Sequence, residues 1–382
     1  MLFVKNKIRQ LLTLAAVLTC LAVPNLVSAQ VPYGKALKAK RVGQAKLFAI
    51  QGVVAAGISL DAAGQAEIKV FVTDDKVRGV PKMIDGVPVK RVKSGPFSAY
   101  QNRKQARGGN KGKPGSGGDD GGGDGGGEVV NDNPRTRFDR AVPIGVSIGA
   151  TSPNYCFAGT LGCRLKGFNL TTGATDYFIL SNNHVIANEN SATPGFDLVL
   201  QPGSLDSGCT LSADDVIGTL YDFDTINFNG AANSVDAAIA STTPLETGFA
   251  TPSTIYGAPT SGTLSASPGL VVKKFGRTTD LTEGVVDAIN VDVNVGYDKG
   301  TAFFTDQIVI VGRSRRGRKY VTSSFSAGGD SGSLIVSADG NVPVGLLFAG
   351  SSSFTIANPI ATVLDRFSSP NTNYLMTVDD GN

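Results

Sequence analysis

Short apolar or alternating segments make up most of the chain from residue 138 to residue 382. Gly, Asn, Asp and Pro recur between these segments, as expected at turns. Many short strands with regular turn signals are typical of an all-β barrel or sandwich, and the periodicity favours neither of the two. The segments predicted as strands are residues 142–148, 177–180, 198–200, 216–220, 285–293, 303–311, 334–336 and 344–348.

One helical pattern lies near the end of the chain. Ile360, Val363, Leu364 and Phe367 are spaced i, i+3, i+4 and i+7, which places them on one face of a helix. We therefore expect a short C-terminal helix packed against the β-rich body.

The region ahead of residue 108 has a different pattern. Residues 34–46 favour a short helix, and residues 51–60, 66–73 and 87–93 favour strands. Residues 30–107 are therefore predicted to form a small α+β module.

A glycine-rich segment separates this module from the body. Residues 108–127 read GGNKGKPGSGGDDGGGDGGG, and such a sequence cannot bury enough apolar surface to offset the entropy of ordering. We predict a linker over residues 108–137 and a second domain over residues 138–382.

The first 29 residues are typical of a signal peptide. Three cations lie ahead of the apolar run 11–23, and the small residues 27–29 suit cleavage before Gln30. The run is shorter than the about 20 residues that span a bilayer, so no stable membrane insertion is expected. The sequence predicts a secreted or periplasmic protein.

Export permits disulfides, and three cysteines follow the signal peptide. Cys163 shares a strand face with Leu161 and Leu165, which predicts a buried thiol. Cys156 and Cys209 lie in turn-like sequence, so we favour a Cys156–Cys209 bridge, with Cys163–Cys209 as the alternative. One histidine and no close cysteine pair give no basis for a zinc or other metal site.

The run FSAGGDSGSLIV, residues 325–336, contains the strongest chemical signal of the chain. Ser331 lies between glycines on a predicted tight turn, where small neighbours allow a substrate carbonyl to approach. The backbone N–H groups of Gly329 and Ser331 are then candidates for an oxyanion hole.

A serine nucleophile needs a general base, and His184 is the one histidine of the chain. The third member is a carboxylate that orients the imidazole. Asp236 precedes a small apolar run and is the preferred candidate, and Asp222 and Asp224 are its rivals. The resulting order is His, Asp, Ser.

Three segments carry a resemblance to bacterial trypsin-like, chymotrypsin-fold serine peptidases. LSNNHVIA, residues 180–187, resembles the histidine segment of secreted and periplasmic heat-stress proteases. VVKKFGRTTDLTEGVVDAINVDV, residues 271–293, resembles a strand pair of streptogrisin-type enzymes. VGLLFAGSSSFTIANPI, residues 344–360, resembles the substrate-pairing strand and the entry to the C-terminal helix. The resemblance implies a double β-barrel over residues 138–382.

The resemblance also implies a function. A serine endopeptidase would hydrolyse proteins or peptides through an acyl-enzyme, without a cofactor. Phe348, Ala349 and Gly350 would pair with the substrate backbone and wall the specificity pocket, with Phe325 near its floor. Asp330 would order the oxyanion loop through an ion pair whose partner the sequence does not identify. The alternatives are a non-catalytic binding or scaffolding protein on this fold and a protease that processes only itself.

The two parts of the chain carry opposite net charges. Residues 30–113 hold 17 Lys/Arg and 5 Asp/Glu, a net of +12, whereas residues 114–382 hold 15 and 27, a net of −12. Opposite fields favour docking of the module on the body, as an inhibitory pro-region requires, and an unrelated accessory domain is the alternative. The cationic run 312–319 fits a solvated hairpin tip, and a site for acidic substrates or for self-cleavage is the alternative. Because no aromatic residues interleave with these cations, no nucleic acid partner is expected.

Overall fold

Strands dominate the part of the chain that this computed structural model describes, which is residues 31–99, 102–105, 133–151, 155–368 and 372–382. The predicted all-β body is confirmed, and its strands form two sheets, which we call the first and the second barrel, with a short C-terminal helix beside them. The predicted signal peptide and the glycine-rich run 108–127 lie outside the described residues, and the domain boundaries stay predictions.

The N-terminal region contains one helix and a small set of strands. Its helix packs on the two strands that follow it, whose apolar side chains form a cluster of their own with Ala36, Ala39 and Leu47. The elements are α1 (Tyr33–Phe48), β1 (Val53–Leu60), β2 (Ala66–Val72), β3 (Met83–Ile84), β4 (Val87–Lys93), β5 (Phe97–Ala99) and β6 (Asn102–Gln105).

The first barrel carries the histidine segment, and its sheet also contains β6 of the N-terminal region. Its elements are β7 (Ser147–Ala150), β8 (Tyr155–Thr160), β9 (Cys163–Asn169), β10 (Thr175–Ser181), α2 (Asn183–Ile186), β11 (Leu198–Leu200), β12 (Val216–Phe223), β14 (Ala238–Thr242) and the C-terminal strand β22 (Tyr374–Val378). The strand order is β22-β9-β10-β14-β12-β11-β7-β8-β6. A 3-10 helix, Ala213–Asp215, precedes β12.

The second barrel carries the serine turn and shares a sheet with β1 to β4. Its elements are β13 (Ala232–Asn233), β15 (Val271–Gly276), β16 (Asp280–Tyr297), β17 (Gly300–Arg316), β18 (Lys319–Ser323), β19 (Leu334–Ser337), β20 (Pro343–Gly350), β21 (Thr355–Pro359) and α3 (Ile360–Phe367). The module joins this sheet because β1 pairs antiparallel with β16, with Ala55 opposite Val293.

The prediction of short strands is wrong for β16 and β17, which are 18 and 17 residues long. Together they form one long hairpin. Their length has a physical cause, since β16 finds backbone partners along its whole course in β15, β17, β1 and β5. Satisfied N–H and C=O groups allow a strand to continue where an unpaired edge would end it.

The predicted strand over residues 142–148 is also largely wrong, because β7 begins only at Ser147. Val142 makes an isolated bridge to Thr247, and Gly145 has a φ of +85°, which interrupts the extended backbone. Val142 and Ile144 are nevertheless buried. Their apolar character therefore indicates that the side chains are buried, but not that the backbone forms a strand.

The C-terminal helix is confirmed as α3, and the four residues of its predicted apolar face are all buried in an apolar cluster formed by residues of both barrels. Full burial of each such side chain contributes about 2 kcal/mol to stability.

The Cys156–Cys209 bridge is also present, and Cys163 is a buried free thiol whose pKa is raised by burial. No helix among the described residues is long and apolar enough to cross a membrane.

Candidate active site

The backbone of the first barrel brings His184 and Asp236 together. His184 lies in α2, directly after β10, and Asp236 lies just ahead of β14. The two strands are antiparallel neighbours with Ser181 opposite Ala238, so the end of one strand meets the start of the other. His184 Nδ1 lies 2.6 Å from Asp236 Oδ2, and the His184 backbone N–H donates to Asp236 Oδ1 at 3.3 Å.

The surroundings of Asp236 fix it in place. Its side chain is fully buried, its N–H donates to Asn358 Oδ1 at 3.1 Å, and its C=O accepts from Asn182 Nδ2 at 2.7 Å. A buried carboxylate requires donors, and the His184 Nδ1–H is one of them. This tautomer leaves a lone pair on His184 Nε2, which is buried and without a hydrogen-bond partner among the described residues. A general base needs such a lone pair.

The rival carboxylates have a different partner. Arg366 donates to Asp224 Oδ1 at 2.7 Å and to Asp222 Oδ2 at 3.0 Å. Burial raises the pKa of Asp224, and the neighbouring guanidinium opposes that rise. Both carboxylates therefore belong to a structural ion-pair network, and Asp236 is the carboxylate that holds the imidazole.

Ser331 lies on a turn whose backbone conformation depends on glycine. Gly329 and Gly332, on either side of Asp330 and Ser331, have φ values of +98° and +92°. A Cβ at Gly332 would lie 2.3 Å from both Ser181 Oγ and the Thr160 carbonyl oxygen, so the turn also packs against the first barrel. The Ser331 hydroxyl is buried and donates to the Phe348 C=O at 3.4 Å.

The ion-pair partner of Asp330 is Lys274, which sequence reasoning missed. Lys274 Nζ lies 3.6 Å from Asp330 Oδ2, and both side chains are fully buried. Asp330 also accepts from the backbone N–H groups of Thr278, Thr279 and Ala327. Burial lowers the pKa of Lys274, and the Asp330 carboxylate opposes that shift. A run of two lysines gives no signal to distinguish the buried one from the exposed one.

Tyr297 is a second residue that sequence reasoning missed. It is the last residue of β16, and its Oη donates to Asp236 Oδ2 at 2.9 Å. Its ring meets the His184 ring edge to face, with centroids 6.0 Å apart. A tyrosine at the end of a long strand carries no sequence signal for such a contact.

The predicted substrate-pairing residues Phe348, Ala349 and Gly350 end β20 and are buried. Another segment of the chain already pairs with them. Ala99 and Ser98 of β5 lie opposite Ala349 and Gly350 in an antiparallel pair.

Two further strand pairs surround this segment. On its other edge, β5 runs parallel to β16, with Ser98 opposite Gly296. Further along, β6 pairs antiparallel with β8, with Asn102 opposite Ala158. The backbone edges beside the serine turn are therefore occupied by the chain itself.

Phe325, predicted near the pocket floor, is buried in an apolar cluster of the second barrel with Val272, Val286 and Ile335. Its C=O accepts from Thr282 Oγ1 at 2.7 Å. Its role in a specificity pocket stays a prediction, as do the oxyanion roles of Gly329 and Ser331.

Comparison with known families gives one partial match. The model of the Nal1 C-terminal domain matches residues 259–358, a stretch that includes the β16–β17 hairpin, the serine turn and β20. A search of curated proteins gives no match.

Solved structures of bacterial serine proteases resemble the chain. Thermobifida fusca protease A is 16% identical over 63% of this chain and 99% of its own, with a TM-score of 0.40. Cellulomonas bogoriensis chymotrypsin is 16% identical over 64% and 100%, with a TM-score of 0.39. Nocardiopsis protease is 17% identical over 59% and 96%, with a TM-score of 0.38. At such values the case for a function rests on the site of this chain, and the likeness to streptogrisins and periplasmic heat-stress proteases stays a prediction.

Proposed function

We propose that the chain is a secreted serine endopeptidase that uses Ser331, His184 and Asp236. The observation that carries this proposal is the 2.6 Å contact between His184 Nδ1 and Asp236 Oδ2 in a fully buried pair. It leaves His184 Nε2 as the free lone pair of the site, and the glycine-flanked serine turn supplies the nucleophile. These are the groups that acyl transfer uses.

The reaction follows from these groups. Ser331 Oγ attacks the peptide carbonyl carbon as His184 Nε2 takes the hydroxyl proton, and Asp236 stabilises the imidazolium. The N–H groups of Gly329 and Ser331 bind the oxyanion. The imidazolium then gives its proton to the leaving amine, and an ester to Ser331 remains. Water, deprotonated by His184, hydrolyses that ester and regenerates the enzyme.

A fluorophosphonate probe tests the proposal. We expect the processed wild-type protein to be labelled and Ser331→Ala to be unlabelled, with Ser337→Ala as the matched serine control. Ser337 lies in β19, and its hydroxyl donates to the Asp339 C=O, away from the imidazole. Equal labelling of wild type and Ser331→Ala would refute the assignment, and no labelling of any form would favour a binding or scaffolding protein.

A second function, self-processing, is favoured by the position of β5. Its backbone pairs with Ala349 and Gly350, the edge that a substrate would use, while Ser331 is fully buried. We propose that the N-terminal module inhibits the body in this way and that the protease cuts its own chain between Ala99 and Asn102. These two residues end β5 and begin β6, which pair with β20 and β8.

Ion pairs support docking of the module. Lys40 Nζ lies 2.6 Å from Asp292 Oδ2, and Lys69 Nζ lies 2.8 Å from Asp287 Oδ1. In both pairs the cation belongs to the module and the carboxylate belongs to β16. This agrees with the net positive charge of the module and the net negative charge of the body. The self-processing proposal is tested by the mass of the secreted protein, as set out in the Discussion.

A further inference from the structure

The tip of the β16–β17 hairpin reaches the catalytic pair from the second barrel. Tyr297 Oη donates to Asp236 Oδ2 at 2.9 Å, and His184 Nδ1 lies 2.6 Å from the same oxygen. One carboxylate oxygen is thus held between a phenol and an imidazole. The edge-to-face contact of the two rings adds packing to this arrangement.

The phenol of Tyr297 is a stable donor. Burial raises the pKa of Tyr297 well above its ordinary value, and the Asp236 carboxylate raises it further. A higher pKa keeps the hydroxyl protonated in neutral and mildly alkaline solution. The phenol therefore remains a hydrogen-bond donor to Asp236 in this pH range.

A second contact fixes the hairpin tip to the histidine loop. Glu189, which follows α2, has a fully buried side chain. Its carboxylate accepts from the backbone N–H groups of Asp298 at 3.2 Å and Lys299 at 3.1 Å, the turn that follows Tyr297. Lys299 Nζ also donates to Ser191 Oγ at 2.6 Å. The loop after His184 thus holds the turn after Tyr297.

Glu189 adopts an unusual backbone conformation at this point, with a φ of +48°. A non-glycine residue rarely occupies the left-handed region unless its surroundings impose it. The buried carboxylate on the hairpin amides is such a constraint, because a buried charge needs these donors.

We propose that Tyr297 is a positioning residue for the Asp236–His184 pair and that Glu189 fixes the hairpin tip that carries it. The inference rests on the proposed peptidase function. By donating to Asp236, Tyr297 fixes the plane of the carboxylate and hence the direction of the imidazole. It also spreads the negative charge of Asp236 over two donors.

The sign of the effect on His184 follows from this charge. Without the phenol, Asp236 has one donor fewer and stabilises the imidazolium more strongly, so His184 keeps its proton to higher pH. Among the described residues, Asp224 near the pair is bound by Arg366, Glu189 binds the hairpin amides, and the Lys299 ammonium donates to Ser191 Oγ. None of these three groups forms a hydrogen bond with the imidazole.

The test is Tyr297→Phe in the full chain, with Tyr374→Phe as the matched control. Tyr374 also donates its hydroxyl to a carboxylate, Asp176 Oδ2, at 2.7 Å, but in β22. Since the chain has one histidine, selective ¹⁵N labelling gives the NMR signals of a single imidazole. We expect its titration midpoint to rise by about half a pH unit in Tyr297→Phe and to stay unchanged in Tyr374→Phe.

A kinetic readout accompanies the titration. In processed protein, we expect Tyr297→Phe to lower kcat by roughly tenfold with little change in KM, because the hydrogen bond that is lost is made to Asp236. Glu189→Gln keeps the side-chain volume and weakens the two hydrogen bonds that hold the hairpin tip, so kcat is expected to fall by a smaller factor than in Tyr297→Phe.

The outcomes separate the two proposals. Coincident titration midpoints in wild type and Tyr297→Phe overturn the positioning role, whether or not the protein hydrolyses peptides. A shifted midpoint in a protein without hydrolysis overturns the peptidase function and leaves the positioning role standing. If Tyr297→Phe does not fold, an unchanged kcat in processed Glu189→Gln overturns the role of the hairpin tip.

Discussion

Ala99, the last residue of β5, lies opposite Ala349 in an antiparallel strand pair. Ala349 belongs to the short stretch of β20 that follows Phe348, the residue whose C=O accepts from the Ser331 hydroxyl. An N-terminal segment thus lies along the strand beside the proposed nucleophile. Antiparallel addition of a strand to an exposed edge is a general way for proteins to bind peptides.

A first prediction concerns self-cleavage. Wild-type protein secreted by a producing cell is expected to lose its N-terminal region by a cut at one of the peptide bonds between Ala99 and Asn102, because β5 and β6 hold the chain on both sides of these bonds. Intact-mass measurement and N-terminal sequencing identify the cut. Ser331→Ala is expected to keep these bonds intact. A wild-type N-terminus within the glycine-rich run 108–127, or the same cut in Ser331→Ala, would contradict the prediction.

A second prediction concerns inhibition by the module. Residues 128–382 are expected to hydrolyse peptides faster than the uncut full chain, and added residues 30–107 are expected to inhibit them. Because the module and the body carry opposite net charge, inhibition is expected to weaken at high salt. Peptide hydrolysis at low and high salt measures both effects.

Ser98→Pro in the added module is the control for this experiment. Ser98 pairs with Gly350 on one edge and with Gly296 on the other, and proline removes the backbone N–H that such pairing uses. We expect the variant to inhibit less. Equal activity of the long and short proteins, with no salt-sensitive inhibition, would leave an accessory domain.

A third prediction concerns His184. Activity is expected to rise with pH in one step, because only the neutral imidazole accepts the serine proton. His184→Ala is expected to lose about 10⁴-fold in kcat with little change in KM, and added imidazole is expected to restore part of it. A steady-state pH profile and a rescue titration check these points. Retained activity in the variant would exclude the triad, since the chain has no other histidine.

A fourth prediction concerns Lys274. Lys274→Met leaves the buried Asp330 carboxylate without its cation, so the free energy of unfolding is expected to fall by about 3 kcal/mol. Slower fluorophosphonate labelling of Ser331 is expected as well, because Asp330 holds the serine turn. Denaturant titration and labelling rates measure the two effects. Lys273→Met is the matched control, since the Lys273 side chain is partly exposed and donates to the Ala338 C=O. Equal losses in both variants would refute a special role for Lys274.

Local patterns predicted much of the fold. The burial of Ile360, Val363, Leu364 and Phe367 followed from their helical spacing, and most short apolar runs are strands. The runs 142–148 and 285–311 show the limit of such patterns. The alternation of apolar and polar residues indicates which side chains become buried. The ends of a strand depend instead on where its backbone N–H and C=O groups find hydrogen-bond partners.

The sequence by itself determined the chemistry that is available: one imidazole, a serine on a glycine-dependent turn, and several aspartates. The tertiary structure decided which groups act together. It placed Asp236 beside His184, while Asp222 and Asp224 bind Arg366, and it brought Lys274 and Tyr297 to the site. These contacts join distant strands, and their geometry depends on barrel closure and strand register, which no local window of sequence contains.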